Sequence, residues 1–191
     1  MGVIANNRTE WAIAAFATFG LGGRFIPMYE KELPKTWQHI IKDANIKTLC
    51  ADQLNILHQV RQFRDDVPHL EHLFLMDGRA VPNMTDVENV GRKHPASAKH
   101  PDPADIAVLI YTSGTTGNPK GVLLSHGNFT SNFLAGCKIF PDLNHESRSL
   151  SILPWAHSYG QTAELYTFMH LGASIGFIRD VSTIGEDMAK A

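Results

Sequence analysis

Between Thr112 and Lys120 the chain carries four hydroxyl side chains, two glycines and one lysine, directly after the apolar run Ile106 to Tyr111. Glycine lets a backbone curl so that successive N–H groups face a single anion. The hydroxyls of Thr112, Ser113, Thr115 and Thr116 can donate to phosphate oxygens, and Lys120 adds a positive charge. Each hydrogen bond to a charged group contributes about 1.5–3 kcal/mol net, so several together could hold a triphosphate. The same residues also suit a surface hairpin in which Gly and Thr merely serve the turn, and composition alone leaves both readings open. The order excludes a Walker A loop, which needs Gly-Lys-[Ser/Thr] opening a helix, because here Lys120-Gly121 leads into another apolar run. The dinucleotide fingerprint GxGxxG is absent from the segment as well.

Such a loop needs a scaffold, and the surrounding sequence reads as strands alternating with amphipathic helices. Gly2 to Ala5 is a short apolar strand, and Asn7 is the expected N-cap of a helix over Thr9 to Phe19. That helix is apolar nearly all round, which predicts burial on several sides. Pro34 opens a second helix with Trp37, Ile40, Ile41 and Ala44 at i, i+3, i+4 and i+7. Ile46 to Ala51 reads as a strand, Leu54 to Phe63 as a helix and His72 to Met76 as a strand. Asp77 to Ala104, punctuated by four prolines, reads as a surface connection with at most one helical turn around Thr85 to Val90. Strands over Ile106 to Tyr111 and Val122 to Ser125 flank the Gly/Thr loop. A helix from Asn128 presents Phe129, Phe133, Cys137 and Phe140 on one face until Pro141 stops it. Leu150 to Pro154, a helix near Thr162 to Leu171 stopped by Gly172, and Ser174 to Ile178 form a last strand–helix–strand unit. The expected fold class is α/β, with parallel-rich sheets covered by helices on both faces. A strand starting at residue 2 and an uncapped end at Ile184 to Ala191 suggest an incomplete piece of a larger domain.

Of 191 residues, 43% are hydrophobic and 19% charged, a globular profile. A net charge of −2 leaves no basic footprint for nucleic acid. The longest uncharged apolar stretch, Trp11 to Gly23, has 13 residues where a membrane-spanning helix needs roughly 20. No signal-peptide pattern accompanies it, and Asn6 stands where a myristoylation motif needs Ser or Thr. Cys50 and Cys137 are too few and too far apart for a disulfide framework and read as buried thiols of a reducing compartment. His69, His72, His94 and His100 lack converging partners in sequence and read as solvated surface. The expected location is the cytoplasm or a membrane periphery.

Residue for residue, Tyr111 to Val122 matches the phosphate-loop signature of adenylate-forming enzymes, Tyr-Thr-Ser-Gly-Thr-Thr-Gly-x-Pro-Lys-Gly-Val. Leu124 to Asn128 resembles that family's continuation. Leu153-Pro154-Trp155-Ala156-His157-Ser158-Tyr159-Gly160 resembles its next motif, at the acyl-binding and gating region. Gly2 to Trp11 and Ile26 to Lys42 look like the corresponding stretches of long-chain acyl-CoA synthetases, and Asp77 to Ala104 is the least family-like part.

The resemblance implies that residues 1–191 are part of the large AMP-binding N-terminal domain, with the phosphate loop at 111–122, the gating motif at 153–160 and the C-terminal domain absent. It implies a long-chain fatty acid–CoA ligase that uses ATP, Mg2+ and coenzyme A to activate a fatty acid or other carboxylic acid. Thr112, Ser113, Gly114, Thr115, Thr116, Gly117 and Lys120 would grip the ATP phosphates. His157 would take the catalytic position, with Trp155 and Tyr159 gating the acyl path. Amino-acid-activating relatives carry an Asp in this motif, and no carboxylate lies between Ile152 and Ala163. Short-chain, aryl-acid and luciferase-like substrates stay open, as does a truncated, catalytically silent nucleotide-binding module. The family's adenine, ribose, magnesium and adenylation-lysine motifs would follow Ala191, so this piece is expected to be inactive alone. In a full-length enzyme it could touch a membrane surface peripherally.

Overall fold

The computed structural model describes residues 1–78, 82–112 and 117–189. The chain divides into two compact units, Met1–Ser125 and His126–Ala191.

In the first unit, β1 (Gly2–Ile4), β2 (Ile26–Met28), β3 (Thr48–Ala51) and β4 (His72–Leu75) form a parallel sheet in the order β2-β1-β3-β4. The helices are α1 (Thr9–Gly20), α2 (Pro34–Asp43), α3 (Leu54–Gln62) and α4 (Met84–Lys93). Strand side chains alternate between faces, so Ile4, Leu49, Leu73 and Leu75 share one face. There they pack with Trp37, Ile40 and Ile41 of α2 and Ile56, Leu57 and Val60 of α3 in one buried cluster. On the opposite face, Phe74 shares a groove with Ala14 and Thr18 of α1 and with Met84 and Val87 of α4. Parallel strands covered on both faces were expected, and this sheet has them.

Several local expectations are corrected. Strand β2 was not foreseen, because Pro27 and the three-residue length hide it; it pairs with β1 from Gly2↔Ile26 to Ile4↔Met28. The N-cap position of helix α1 is Arg8, one residue after the expected Asn7. Ile13 and Phe16 on that helix are 46% and 41% exposed, so it is not buried on several sides. Helix α4 spans ten residues, nearly three turns, where at most one helical turn around Thr85 to Val90 was expected. Its start is a capping box, in which Asn83 accepts from the Asp86 N–H and Asp86 accepts from the Asn83 N–H.

The Gly/Thr-rich segment joins β5 (Ile106–Thr112) to β6 (Lys120–Ser125), an antiparallel pair. Phe25 attaches β5 to the rest of the unit: its N–H donates to the Ala107 carbonyl at 2.8 Å and its carbonyl accepts from the Leu109 N–H at 2.9 Å. Alternation then turns Leu109 and Tyr111 toward the core that holds α2.

The second unit contains α5 (His126–Ile139), β7 (Arg148–Ser151), α6 (Thr167–Leu171), β8 (Ser174–Phe177) and α7 (Ile184–Met188). Strands β7 and β8 are parallel, and β7 lies two residues earlier than expected. Gly160–Tyr166 forms a π-helix that runs into α6, where an ordinary α-helix was expected. On α5 only Phe129 is buried among the described residues; Phe140 is 60% exposed and Cys137 is half-buried, so neither forms the expected core face. Cys50 is buried as expected, and burial pushes its thiol pKa up. His69 is a further correction, since its Nε2 lies 2.9 Å from the Ile41 carbonyl rather than in open solvent.

Candidate functional site

In the first unit, register places Thr112 opposite Lys120, so the strand pair ends where the loop begins and both residues are exposed. Gly117 has φ +98°, a conformation that L side chains rarely adopt, so a side chain there would be strained. Ser113, Gly114, Thr115 and Thr116 lie outside the described residues.

The described end of the loop lies against α2. Pro34 sits in the first turn of that helix, and Trp37, Ile40 and Ile41 bury its apolar face. Spacings of four and three residues put Lys35, His39 and Lys42 on one side of it. Together with Gly117, Asn118 and Pro119 they line a cleft of about 370 Å³. His39 Nε2 is 3.0 Å from the Pro119 carbonyl oxygen. Tyr111, opposite Gly121 in the hairpin, donates its hydroxyl to the Asp43 carboxylate. Burial first, and then that carboxylate, push the Tyr111 phenol pKa up, so it stays protonated and donates. A Cβ on Gly121 would stand 3.1 Å from the Tyr111 ring, so glycine leaves room for it. Hydroxyls, backbone amides and lysines around one cleft can bind a polyanion.

In the second unit, the motif after β7 splits into exposed and buried positions. His157 is exposed and Tyr159 is 67% exposed. Trp155 is 1% exposed; its indole N–H donates to Glu164 Oε1 at 2.9 Å, and its ring meets Phe177 edge-on at 5.5 Å. The expectation that Trp155 lines a substrate path therefore meets a packing role within this unit. Gln161 is fully buried, donating to the Trp155 carbonyl and accepting from the Tyr166 hydroxyl. Glu164 and Gln161 were missed, because partners six and nine residues after Trp155 follow no α-helical spacing. The Thr167 hydroxyl donates to the carbonyl five residues back, as a π-helix allows.

A family model described as "AMP-binding enzyme" matches residues 1–190. The chain belongs to the AMP-binding enzyme family. It is 31% identical to long-chain-fatty-acid–CoA ligase 6 of Homo sapiens, over 98% of this chain and 30% of that protein. It is likewise 31% identical to the peroxisomal long chain acyl-CoA synthetase 7 of Arabidopsis thaliana, over 99% of this chain and 29% of that protein. The chain thus spans about a third of the length of these relatives. Among solved structures, ATP-bound MatB from Rhodopseudomonas palustris is similar at TM-score 0.79 and 25% identity, covering 100% of this chain and 38% of that one. A long-chain-fatty-acid–CoA ligase from Archaeoglobus fulgidus reaches TM-score 0.83 at 21% identity, over 99% and 37% of the two chains, and shows the shared fold.

Within this member of the AMP-binding enzyme family, Thr112, Gly117 and Lys120 belong to the first unit and Trp155, His157 and Tyr159 to the second. Sequence reasoning missed Lys35, His39, Lys42 and Asp43. Their i, i+4, i+7 and i+8 spacing was visible, but nothing in sequence announced that this helix face would meet a loop some eighty residues later. No helix among the described residues is long and apolar enough to cross a membrane.

Proposed function

We propose that this chain supplies the ATP-phosphate-gripping part of an AMP-forming acid–CoA ligase acting on fatty acids. The carrying observation is the hairpin: Lys120 and Thr112 face each other at its exposed end, beside a cleft whose α2 wall carries Lys35 and Lys42. The names of the relatives support a fatty acid as the substrate.

In the first half-reaction a carboxylate oxygen attacks the α-phosphate of ATP. The bond to the β-phosphate breaks, giving acyl-adenylate and pyrophosphate. The thiolate sulfur of coenzyme A then attacks the acyl carbon, and AMP leaves. Charge accumulates on the departing pyrophosphate, so donors placed in advance at its oxygens lower the barrier. Thr112, Ser113, Gly114, Thr115, Thr116, Gly117 and Lys120 are assigned to that task. His157 and Tyr159, exposed on the second unit, are assigned to the acyl and thiol approach, with Trp155 supporting them from the core. Mg2+ would enter on the nucleotide phosphates; the described residues offer no cluster of three or more His, Cys, Asp or Glu to hold it.

The test is binding of Mg-ATP by the purified chain, together with fatty-acid-dependent ATP–pyrophosphate exchange. Saturable Mg-ATP binding supports the phosphate-gripping role, and exchange on top of it extends the role to carboxylate activation. A folded chain showing neither overturns the proposal.

A further inference from the structure

The loop is tied to α2 at both of its described flanks. Before it, the Tyr111 hydroxyl donates to Asp43. After it, the Pro119 carbonyl lies 3.0 Å from Nε2 of His39, 80 residues away in sequence. A carbonyl oxygen only accepts, so Nε2 carries the proton and donates. The two ties are neighbours, because the His39 and Tyr111 rings meet edge-on at 90° with centroids 6.4 Å apart.

The Pro119 carbonyl belongs to the same planar peptide unit as the Lys120 N–H. Holding the oxygen toward α2 therefore fixes the direction of that amide and the orientation in which the chain enters Lys120. Pro119 also has a fixed φ, which removes one further freedom at this step. His39 is only half-buried, while Trp37, Ile40 and Ile41 hold α2 in the core. The helix thus stays in place without the His39 donor, and the bond is free to serve the loop.

We propose that His39 is a positioning residue for the phosphate loop: its hydrogen bond to the Pro119 carbonyl sets the Lys120 peptide and, through it, how tightly the loop holds a polyphosphate. This rests on the reading of 112–120 as a phosphate-gripping segment.

Two substitutions separate positioning from packing. His39→Phe keeps an aromatic ring beside Tyr111 but has no donor, whereas His39→Gln can place an amide N–H where Nε2 stands. The purified chain is titrated with Mg-ATP and with inorganic triphosphate, and amide hydrogen exchange is followed in peptides covering 112–121. His39→Phe is expected to bind both ligands about two- to tenfold more weakly, the loss of one hydrogen bond. It should also exchange faster at 117–121 with its melting temperature unchanged, while His39→Gln stays close to the parent on every readout. Parent-like binding and exchange in His39→Phe overturns the proposal, and so does an equal loss in both variants accompanied by a fall in melting temperature. If Lys120→Ala abolishes binding that His39→Phe leaves intact, only the positioning role fails. If the unsubstituted chain binds neither ligand, the phosphate-gripping reading fails, and the role of His39 with it.

Discussion

Lys120 combines an exposed side chain with a position at the very start of a strand, and those two facts separate its contributions. Its charge meets solvent, so nothing in the core depends on it. Lys120→Ala is expected to weaken Mg-ATP binding about 10- to 100-fold, the loss of one hydrogen bond to a charged group of roughly 1.5–3 kcal/mol. The circular dichroism spectrum and melting temperature should stay as they are. Phe129→Ala is the contrasting variant, because Phe129 is 7% exposed and packs edge-on against Tyr166 at 5.2 Å. Truncating such a buried ring costs about 3–5 kcal/mol. A fall in stability from Lys120→Ala as large as that from Phe129→Ala would refute the phosphate-gripping role. Phe133, which sequence pattern made equally eligible as a core residue, is only half-buried beside His170. Periodicity marks a face; what covers the face is a matter of the neighbouring elements.

At the level of elements, the π-helix after the second motif starts at a glycine for a local steric reason. A Cβ on Gly160 would collide with the Pro154 carbonyl, backbone against backbone, so the chain can turn into the helix there only with glycine. Just before this turn Trp155 is buried, while His157 and Tyr159 stay exposed. Gly160→Ala is expected to destabilise the chain by about 1–3 kcal/mol, the usual cost of overpacking, which thermal unfolding would register as a lower melting temperature. An unchanged transition would show that the turn relaxes at no cost. Most elements were legible beforehand: α2 and α3 from their apolar spacing, β3 and β4 from their apolar runs, and the end at Gly172 from its residue type. Others were not. Helix α4 hides in a proline-flanked polar stretch, since its capping box is a local signal while its outward face is polar. Strand β2 is three residues long and carries a proline, so it exists because β1 lies ready to pair with it.

Over the whole molecule, a half-buried acid ties stability to pH. Asp52 follows β3, and its carboxyl pKa is pushed up to about 6, first by desolvation, with the Asn6 N–H opposing and Glu30 adding to the rise. In the unfolded chain the same group titrates near ~3.9. The folded state therefore binds more protons between about pH 4 and pH 6, and the contribution of Asp52 is full below ~4 and is lost as pH rises through 6. Asp52→Asn is neutral throughout, so its melting temperature should gain on the parent's as pH is raised from 4 to 6.5. Parallel curves would show that Asp52 titrates normally in the folded chain. The Gly/Thr-rich segment, its lysine and the alternation of strands with helices could all be read along the chain, because they depend on residue order over a few positions. The meeting of His39 with Pro119, the tie of Tyr111 to Asp43 and the burial of Trp155 could not. These depend on which residues distant in sequence are brought within hydrogen-bonding reach, and only the packing of strands and helices sets that.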